Sequence, residues 1–401
     1  MNNVVFKICI ITHTHLSRNP RVLKEALALA EAGYEVHLLN SIYSKVLAAA
    51  DLALLNGASI HIEHIADLSE NNFRSFVHRA VKKAGNLLIK YSNWETCYAL
   101  GYAPKLYIQK SKKIKADLYI CHQELPLYIG TKLLKAGLNV AFDIEDWHAE
   151  DLLKEAVSSR PVKLLRKLEA FALKNGKYCT TTSEALAEQL AIRYRVQQPK
   201  VIYNSFQVDQ QILKREKEIK FPIKLIWFSL NIGKGRGLEE FIKIINRLRV
   251  AVEFHLIGEI EPAYQQEIQK LIDKKFNAFF HPPVPTAQME QTLSKFDVGL
   301  AIELHQPKNR EFTITNKFFQ YVQSGLPIIA TNTSGQQEIF KKFNPGILID
   351  FNKPDDIALE KWLNNLEAIN TAKTNSQEMA YAYDWKIQKT KLLNLVKYAL
   401  S

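Results

Sequence analysis

The chain has 401 residues, of which 47% are hydrophobic and 23% charged, and this is the composition of a folded protein with room for two domains. Its 53 basic residues against 41 acidic ones give a net charge of +12, which indicates anionic partners such as phosphates or lipid head groups. The four cysteines are widely spaced and form no C-x-x-C pair, so a disulfide framework and a zinc site are both disfavoured.

Short apolar runs alternate with helical periodicity from the first residues onward. VVFKICIIT predicts a strand rather than a signal peptide, and residues 20–32 place apolar side chains at helical spacing. Gly33 then ends the helix before a second strand, YEVHLLN, so the two strands should be parallel with a right-handed crossover. Further strands are predicted at ASIHIEHI, ADLYICH, NVAFDI and YCTTT.

A second series of strands begins after the polar stretch QVDQQILKREKEIK. Its strands are predicted at IKLIWFSL, VEFHLIG, NAFFH, VGLAIEL, PIIATN and GILID, with helices beginning near Leu238, Pro262, Thr286, Thr315 and Gly335. The predicted fold is therefore α/β, with two doubly wound Rossmann-like domains at 1–204 and 205–380. Residues 381–401 are expected to form a terminal helix that returns to the first domain. The two domains are expected to face each other across a cleft, where ligands of such sheets bind.

Three segments of the second domain follow one another in a recognisable order. They are FSLNIGKGRGLEEFI, DVGLAIELHQPKN and TITNKFFQYVQSGLPIIATNTSGQQE. Together they resemble the donor half of a GT-B glycosyltransferase of family 4 (group 1), whose pattern includes Asn-Lys-x-x-Glu-Tyr-x-x-x-Gly-x-Pro. The first domain matches more loosely, through RNPRVLKEALALAEAGYEVHLL, AFDIEDWHAED and VIYN.

This resemblance implies a retaining glycosyltransferase that moves a sugar from a nucleotide diphosphate-sugar to an acceptor, with no metal ion or other cofactor. A glycan, a lipid-linked sugar or a polysaccharide precursor is the expected acceptor. Two other functions stay open, namely a catalytically silent nucleotide-sugar-binding scaffold and a nucleotide-sugar epimerase. Nucleic acid is not an expected partner, because no recognised module accompanies the basic residues.

The predicted donor site combines cations with helix N-termini, which together suit a diphosphate leaving group. Arg236 begins a helix after a glycine-containing loop, and Lys317 lies in the first turn of a helix preceded by capping residues. By resemblance, these two cations pair with the diphosphate and Gln320 lies near the ribose. An ordinary pair of capped surface helices is the alternative. The predicted donor residues are Ser229, Gly235, Arg236, Thr315, Asn316, Lys317, Gln320 and Glu338.

The sequence departs from the family pattern at three positions. Phe312 and Gln320 stand where the family has two glutamates, and Leu230 stands near Ser229 where it often has an arginine. Glu311 is adjacent to the first missing glutamate, but a neighbouring loop residue is expected to point elsewhere. These departures motivate the hypothesis of a silent binder.

The loop after NVAFDI is rich in acids and has three interpretations. In one it faces the donor sugar, with His148 bonded to a sugar hydroxyl or the acceptor and oriented by Asp146. In the others it is a D-x-D-type metal site or an acidic helix start. The predicted catalytic residues are His148, Asp146, Arg236 and Lys317, and the predicted acceptor-side residues are His13, His15, Asn19 and Arg21. The two loop histidines have solvation as their alternative.

Residues 73–115 combine an apolar stripe with a strong excess of positive charge. From Phe73 to Tyr91 apolar residues recur at helical spacing, and Glu95 is the single acid of the whole segment. Such a helix suits an anionic membrane surface. The alternative is that its stripe packs on the sheet while its charges are solvated. No run reaches the ~18–20 apolar residues of a transmembrane helix, so a cytoplasmic, peripheral protein is expected.

Overall fold

A computed structural model describes residues 5–55, 57–153, 157–215 and 217–401. The chain divides into two compact units, the first formed by residues 1–202 with 389–401 and the second by residues 203–388. The chain changes from the second unit back to the first within its last helix, between residues 388 and 389.

The first unit is built on a seven-stranded parallel sheet in the order β3-β2-β1-β4-β5-β6-β7. Its strands are β1 (Lys7–Ile11), β2 (Glu35–Ile42), β3 (Ile60–Asp67), β4 (Leu118–His122), β5 (Val140–Asp143), β6 (Cys179–Thr181) and β7 (Lys200–Val201). The central strands β1, β4 and β5 are apolar and buried on both faces, as parallel sheets covered by helices require.

Seven helices in the described part of the first unit connect these strands. They are α1 (Pro20–Glu31), α2 (Lys45–Leu54), α3 (Phe73–Ser92), α4 (Pro104–Ile114), α5 (Glu124–Leu134), α6 (Val162–Asn175) and α7 (Glu184–Tyr194). Asn19 caps α1 by accepting from the Val22 N–H, and Gly33 leaves the helix at a φ of +87°.

The second unit contains a six-stranded parallel sheet in the order β10-β9-β8-β11-β12-β13. Its strands are β8 (Ile223–Ile232), β9 (Val252–Ile260), β10 (Asn277–His281), β11 (Val298–Ala301), β12 (Ile328–Thr331) and β13 (Gly346–Ile349). Trp227, Phe241 and Phe254 lie at the centre of its core.

The helices from residue 203 onward complete the architecture. They are α8 (Gln210–Leu213), α9 (Leu238–Ile245), α10 (Pro262–Leu271), α11 (Thr286–Leu293), α12 (Asn309–Phe312), α13 (Asn316–Gln323), α14 (Ser334–Phe343), α15 (Asp356–Leu363), α16 (Leu366–Ala382) and α17 (Trp385–Leu400). Val396 and Ala399 of α17 are buried in the core of the first unit. The predicted fold, two Rossmann-like α/β domains, is confirmed.

Helix α3 presents its apolar stripe outward. Its buried positions are small or isolated, at Ser75, Gly85 and Ile89, whereas Phe73 is 79% exposed and Tyr91 is 76% exposed. The alternative in which this stripe packs on the sheet is therefore wrong. None of the helices in the described part of the chain has both the length and the apolar character that a membrane crossing requires.

Candidate functional site

The N-terminus of α13 is the centre of the candidate donor site in the second unit. Thr315 takes the N-cap position in extended conformation, but its side chain makes no capping hydrogen bond, so the expectation of a capping threonine is wrong. Asn316 and Lys317 are the first two helical residues. Because the side chain at the cap position accepts no hydrogen bond from the first backbone N–H groups, this helix start suits an anionic ligand.

Lys317 is a buried cation at this helix start. Its Nζ lies 3.7 Å from Oε1 of Glu303 and 4.7 Å from the centre of the Trp227 ring. Burial lowers the pKa of Lys317, Glu303 opposes that shift, and the positive charges of Arg236 and Arg310 lower the pKa further. Three cations therefore share one site in which Glu303 is the close carboxylate among the described residues, and the site favours an added negative charge.

The glycine loop places Arg236 beside this helix. Gly235 has a φ of +73° and Gly237 a φ of +83°, values that glycine adopts readily. Arg310 fixes the loop, because its Nη1 donates to the Gly235 carbonyl oxygen at 2.8 Å. Arg236 itself is exposed. Gly237 is the N-cap of α9 and provides no side-chain cap, so a second helix start is open here.

Glu303 and Arg310 are site residues that the sequence analysis did not select. Glu303 lies two residues after the buried strand β11, and its N–H donates to Oγ1 of Thr331 at 2.9 Å. Both residues lie in or beside the segment DVGLAIELHQPKN, which resembles the family. An acid shortly after a buried parallel strand was the available signal, because the residues that follow such strands lie at the ligand-binding edge of the sheet.

The positions that depart from the family pattern have specific surroundings. Glu311 accepts hydrogen bonds from Ser334, from N at 2.9 Å and from Oγ at 2.6 Å, and its other oxygen lies 2.5 Å from Nδ1 of His305. It therefore caps the start of α14 and does not replace the missing glutamates. Gln320 is buried on α13, and Leu230 is 53% exposed where the family often has an arginine.

Two predicted donor residues have structural contacts of their own. A Cβ at Gly258 would overlap the carbonyl oxygen of Ser229, so the backbone of Ser229 packs closely against that glycine. Glu338 accepts a hydrogen bond from the Tyr203 hydroxyl at 2.9 Å. A hydrogen bond from a donor sugar to Glu338 would therefore compete with the hydrogen bond from Tyr203.

An open cavity of about 750 Å³ lies after strands β8 and β9. This volume is in the range of small-molecule sites. The carboxyl ends of these two neighbouring strands form the wall of the cavity, which is the usual ligand position in doubly wound sheets. Its lining residues are Asn231, Ile232, Gly233, Lys234, Glu259, Ile260, Glu261, Pro262 and Tyr264.

In the first unit, His13 and His148 each have a buried ring nitrogen without a hydrogen-bond partner, Nδ1 in His13 and Nε2 in His148. Burial lowers the pKa of His13 to about 3, and the nearby charges of Lys82, His148 and Arg160 contribute in the same direction. His148 begins a 3-10 turn and is joined to Asp146 through the backbone, its N–H donating to the Asp146 carbonyl at 2.9 Å. These two histidines form a polar site within one unit.

The other predicted acceptor-side residues are held by structural contacts. His15 lies 2.7 Å from Asp51 through Nδ1, and its Nε2 accepts from the Tyr43 N–H at 3.0 Å. Asn19 caps α1 and donates to Glu145 at 3.1 Å. With both ring nitrogens engaged, His15 is not a solvated loop histidine, and its predicted contact with an acceptor stays a prediction.

Arg21 is also structural, because it is buried in a network of charges. It donates to both carboxylate oxygens of Asp143, at 2.5 and 2.7 Å, and to the Ile202 carbonyl at 2.6 Å. His122 lies 2.6 Å from Glu25 and 3.0 Å from Asp143. Arg21 thus links α1 to the ends of β5 and β7, and its predicted contact with an acceptor stays a prediction.

The acidic loop after β5 includes one carboxyl group with a strongly altered acidity. Burial raises the pKa of Glu145 to about 7, and the charges of Asp143 and Asp146 add to this rise. Within the described ranges, the group with the spacing of metal ligands is Glu35, His37 and His61 on β2 and β3, outside this loop. The D-x-D interpretation therefore gains no ligand cluster there.

Comparison with solved structures shows first a shared fold. Sucrose-phosphate synthase from Thermosynechococcus elongatus superposes with a TM-score of 0.69 at 13% identity, over 98% of each chain. HepE from Anabaena, in complex with UDP-glucose, gives 0.66 at 14% identity over 98% of this chain and 99% of that one. The lipopolysaccharide outer core galactosyltransferase WaaB gives 0.63 at 13% identity, with the same coverage.

A sequence match then points to a particular family. Residues 224–362 match the family described as "Glycosyl transferases group 1", and they contain the α13 site and the glycine loop. No curated protein matches the chain. The resemblance to GT-B glycosyltransferases of group 1 is confirmed by this match and by the fold.

Proposed function

We propose that this chain is a retaining glycosyltransferase that uses a nucleotide diphosphate-sugar as donor. The observation that carries the proposal is the meeting of Arg236, Arg310 and Lys317 at the open starts of α9 and α13. Negative charge develops on the diphosphate as the glycosidic bond breaks, and fixed cations and N–H groups stabilise that charge. Retention of configuration is proposed from the resemblance to family 4.

We propose further that the reaction needs no metal ion, because the cations of the site supply the positive charge that a metal would otherwise provide. HepE is described in complex with UDP-glucose, which makes UDP-sugars the first donors to test. Phe312 and Gln320 replace the two glutamates of the family pattern. We infer that this replacement changes the contacts with the sugar and the ribose but leaves the cations in place. The donor half of the mechanism is therefore proposed to be intact.

The test is a panel of nucleotide-sugars with the purified protein. Thermal stabilisation reports binding, and release of nucleoside diphosphate with and without a membrane-lipid extract reports transfer. Stabilisation by one donor together with acceptor-dependent release supports the transferase. Stabilisation without release supports the silent binder, conversion of the donor without acceptor supports the epimerase, and stabilisation by no donor contradicts all three.

We also propose that α3 docks the protein peripherally on an anionic membrane surface on the cytoplasmic side. Phe73, Phe76 and Tyr91 are exposed on this helix among basic residues that include Arg74 and Lys83. Exposed apolar side chains insert at the lipid interface, while the basic ones contact anionic head groups. We propose that docking there brings the enzyme to a lipid-linked or polysaccharide-precursor acceptor.

Docking is tested by sedimentation with vesicles of phosphatidylcholine and phosphatidylglycerol. The triple variant Phe73→Ser, Phe76→Ser, Tyr91→Ser should lose most vesicle binding, because the apolar area available for insertion is removed. The matched control is Ile357→Ser, an exposed apolar residue of α15 in the second unit. Equal sedimentation of the triple variant and the wild-type protein would contradict docking through α3.

A further inference from the structure

A cluster of positive and unpartnered polar groups lies in the first unit, on the inner side of α3. It consists of Lys82 on α3, His13 after β1, His148 and Arg160. His148 is only 7% exposed, and its Nε2 has no hydrogen-bond partner. Buried Nδ1 of His13 and Nε of Arg160 are likewise without a partner. Three nitrogens that could contact a ligand thus converge in one region.

Independent contacts connect the members of this cluster. The His13 N–H donates to Oε1 of Gln123 at 3.3 Å, and the next residue, Glu124, forms an ion pair with Arg160. Lys82 lies over the Tyr102 ring at 4.7 Å. Arg160 and Glu124 both act electrostatically on Lys82, while burial is the main cause that lowers the pKa of Lys82. His13, Lys82 and Arg160 are therefore neighbours in space although they come from separate segments, and the charge of His148 also acts on His13.

The balance of charge in this cluster is positive. Lys82 and Arg160 are cations, and among the described residues Glu124 is the carboxylate that pairs with Arg160 and acts on Lys82. An unpaired buried donor costs free energy unless a ligand satisfies it. A phosphate group meets these requirements, since its oxygens accept several charge-assisted hydrogen bonds at once.

We propose that Lys82, Arg160, His13 and His148 bind a phosphate group of the acceptor. The proposal rests on the proposed function in one respect, that the ligand of this unit is the acceptor of a sugar transfer. Lys82 belongs to the same helix as the exposed apolar side chains but lies on its opposite face. The acceptor class is therefore a phosphate-bearing one, presented by a lipid or by a soluble phosphosugar.

The experiment uses the full-length variant Arg236→Ala, Lys317→Ala, in which the cations of the donor site are absent. Inorganic phosphate is titrated while the imidazole signals of labelled histidines are followed by NMR, with His13 assigned through a His13→Gln variant. Phosphate should shift the His13 signal saturably and raise the pKa of His13. Lys82→Gln and Arg160→Gln should each weaken phosphate binding about tenfold, whereas the exposed control Lys163→Gln should not change it.

A further variant distinguishes binding from a general loss of structure. Glu124→Gln removes the carboxylate that competes for Arg160, so phosphate should bind more tightly, an effect that destabilisation cannot produce. Phosphate binding that is unchanged in both Lys82→Gln and Arg160→Gln would overturn the proposal. Because the donor cations are absent, this result would leave the proposed donor chemistry untouched. Conversely, failure of all nucleotide-sugars to bind the wild-type protein overturns the proposed function without affecting the phosphate result.

The source of the phosphate is resolved by a second arm with dodecyl phosphate in phosphatidylcholine vesicles. Tighter binding than that of inorganic phosphate, abolished by the Phe73, Phe76 and Tyr91 substitutions, assigns a lipid-linked acceptor. Binding equal to that of inorganic phosphate assigns a soluble phosphosugar. Either result retains the site, provided that Lys82→Gln and Arg160→Gln weaken the binding.

Discussion

At the scale of single residues, Arg236 and Lys317 are the cations on which the proposed chemistry depends. Arg236→Ala and Lys317→Ala should each lower kcat/KM for the donor by about 10²–10³, because each removes a group that stabilises the leaving diphosphate. The measurement is steady-state release of nucleoside diphosphate. Lys270→Ala, an exposed lysine of α10, is the control and should retain full activity. Wild-type activity in either site variant would remove that residue from the assignment.

His122 gives a prediction about pH. Burial alone would lower its pKa, but the charges of Glu25 and Asp143 outweigh burial and raise the pKa to about 10. The stabilisation from the protonated form is therefore complete below the unfolded pKa of about 6.5 and is lost as the pH rises through 10. By NMR, His122 should remain protonated at pH 8, and Glu25→Gln should lower its pKa. Titration of His122 near pH 6.5 in the wild-type protein would contradict this account.

Residue-level prediction from the sequence was limited by long-range packing. Lys317 and Arg236 could be selected because each stands at a helix start within a local motif. The structural roles of His15 and Arg21 depend on Asp51 and Asp143, which are distant in the sequence. No local pattern distinguishes a buried, paired arginine from one that contacts a ligand. The same limit hid Arg310, whose contact is with a loop carbonyl 75 residues away.

At the scale of elements, the packing of α13 on β11 requires a glycine. A Cβ at Gly299 would overlap the ring of Tyr321, whose hydroxyl accepts from the Phe228 N–H at 3.2 Å. Gly299→Ala should therefore displace α13 and lower the free energy of unfolding by about 1–3 kcal/mol, as overpacking of a core does. Because α13 carries Lys317, nucleotide-sugar affinity should fall as well.

Chemical denaturation of the Gly299→Ala variant tests the expected loss of stability, and a donor-binding measurement tests the expected loss of nucleotide-sugar affinity. Gly233→Ala is the control, because an added Cβ at Gly233 has no neighbour within 4 Å and its φ is not in the left-handed region. Gly137→Ala is unsuitable, because Gly137 has a φ of +82°, which strains any other residue. Gly233→Ala should accordingly leave stability close to that of the wild-type protein. Equal stability of the two variants would contradict the packing argument.

Helix α3 shows what periodicity can and cannot predict. The spacing of its apolar residues correctly predicted an amphipathic helix between Phe73 and Ser92. The buried face, however, uses Ser75 and Gly85, and a Cβ at Gly85 would approach the Ala99 N atom to 3.0 Å. Because α3 packs closely against its neighbours through small residues, its apolar stripe stays exposed. A hydrophobicity pattern cannot predict which face of such a helix is buried.

At the scale of the whole molecule, the first unit depends on a segment that is remote in sequence. Val396 and Ala399 of α17 belong to the same core as Ile8, Leu38 and Ile120. Truncation after Gln388 should therefore expose that core and reduce hydrogen-exchange protection of β1, β2 and β4, while β8, β9 and β11 keep theirs. Hydrogen-exchange mass spectrometry measures both sets of strands in one sample. Unchanged protection of β1 would contradict this dependence.

The alternation of strands and helices was sufficient to predict both sheets, because each strand is a short apolar run bounded by turn or helix signals. The return of a terminal helix to the first domain was expected, but the position within α17 at which the chain changes units was not predictable. Residues Trp385 to Leu400 form one uninterrupted helix, and no turn signal in the sequence marks the boundary between Gln388 and Lys389. The division follows from tertiary contacts alone.

The shared helix α17 also has a consequence for biosynthesis. Translation proceeds from the N-terminus, so the seven-stranded sheet emerges from the ribosome first, yet residues 389–401 of its unit emerge only after the whole of residues 203–388. The second unit is one continuous stretch of chain and can close as soon as it has left the exit tunnel. The first unit is thus synthesised first but completed last. Until residues 389–401 have been synthesised, its hydrophobic core is partly exposed, and we expect chaperones to bind it.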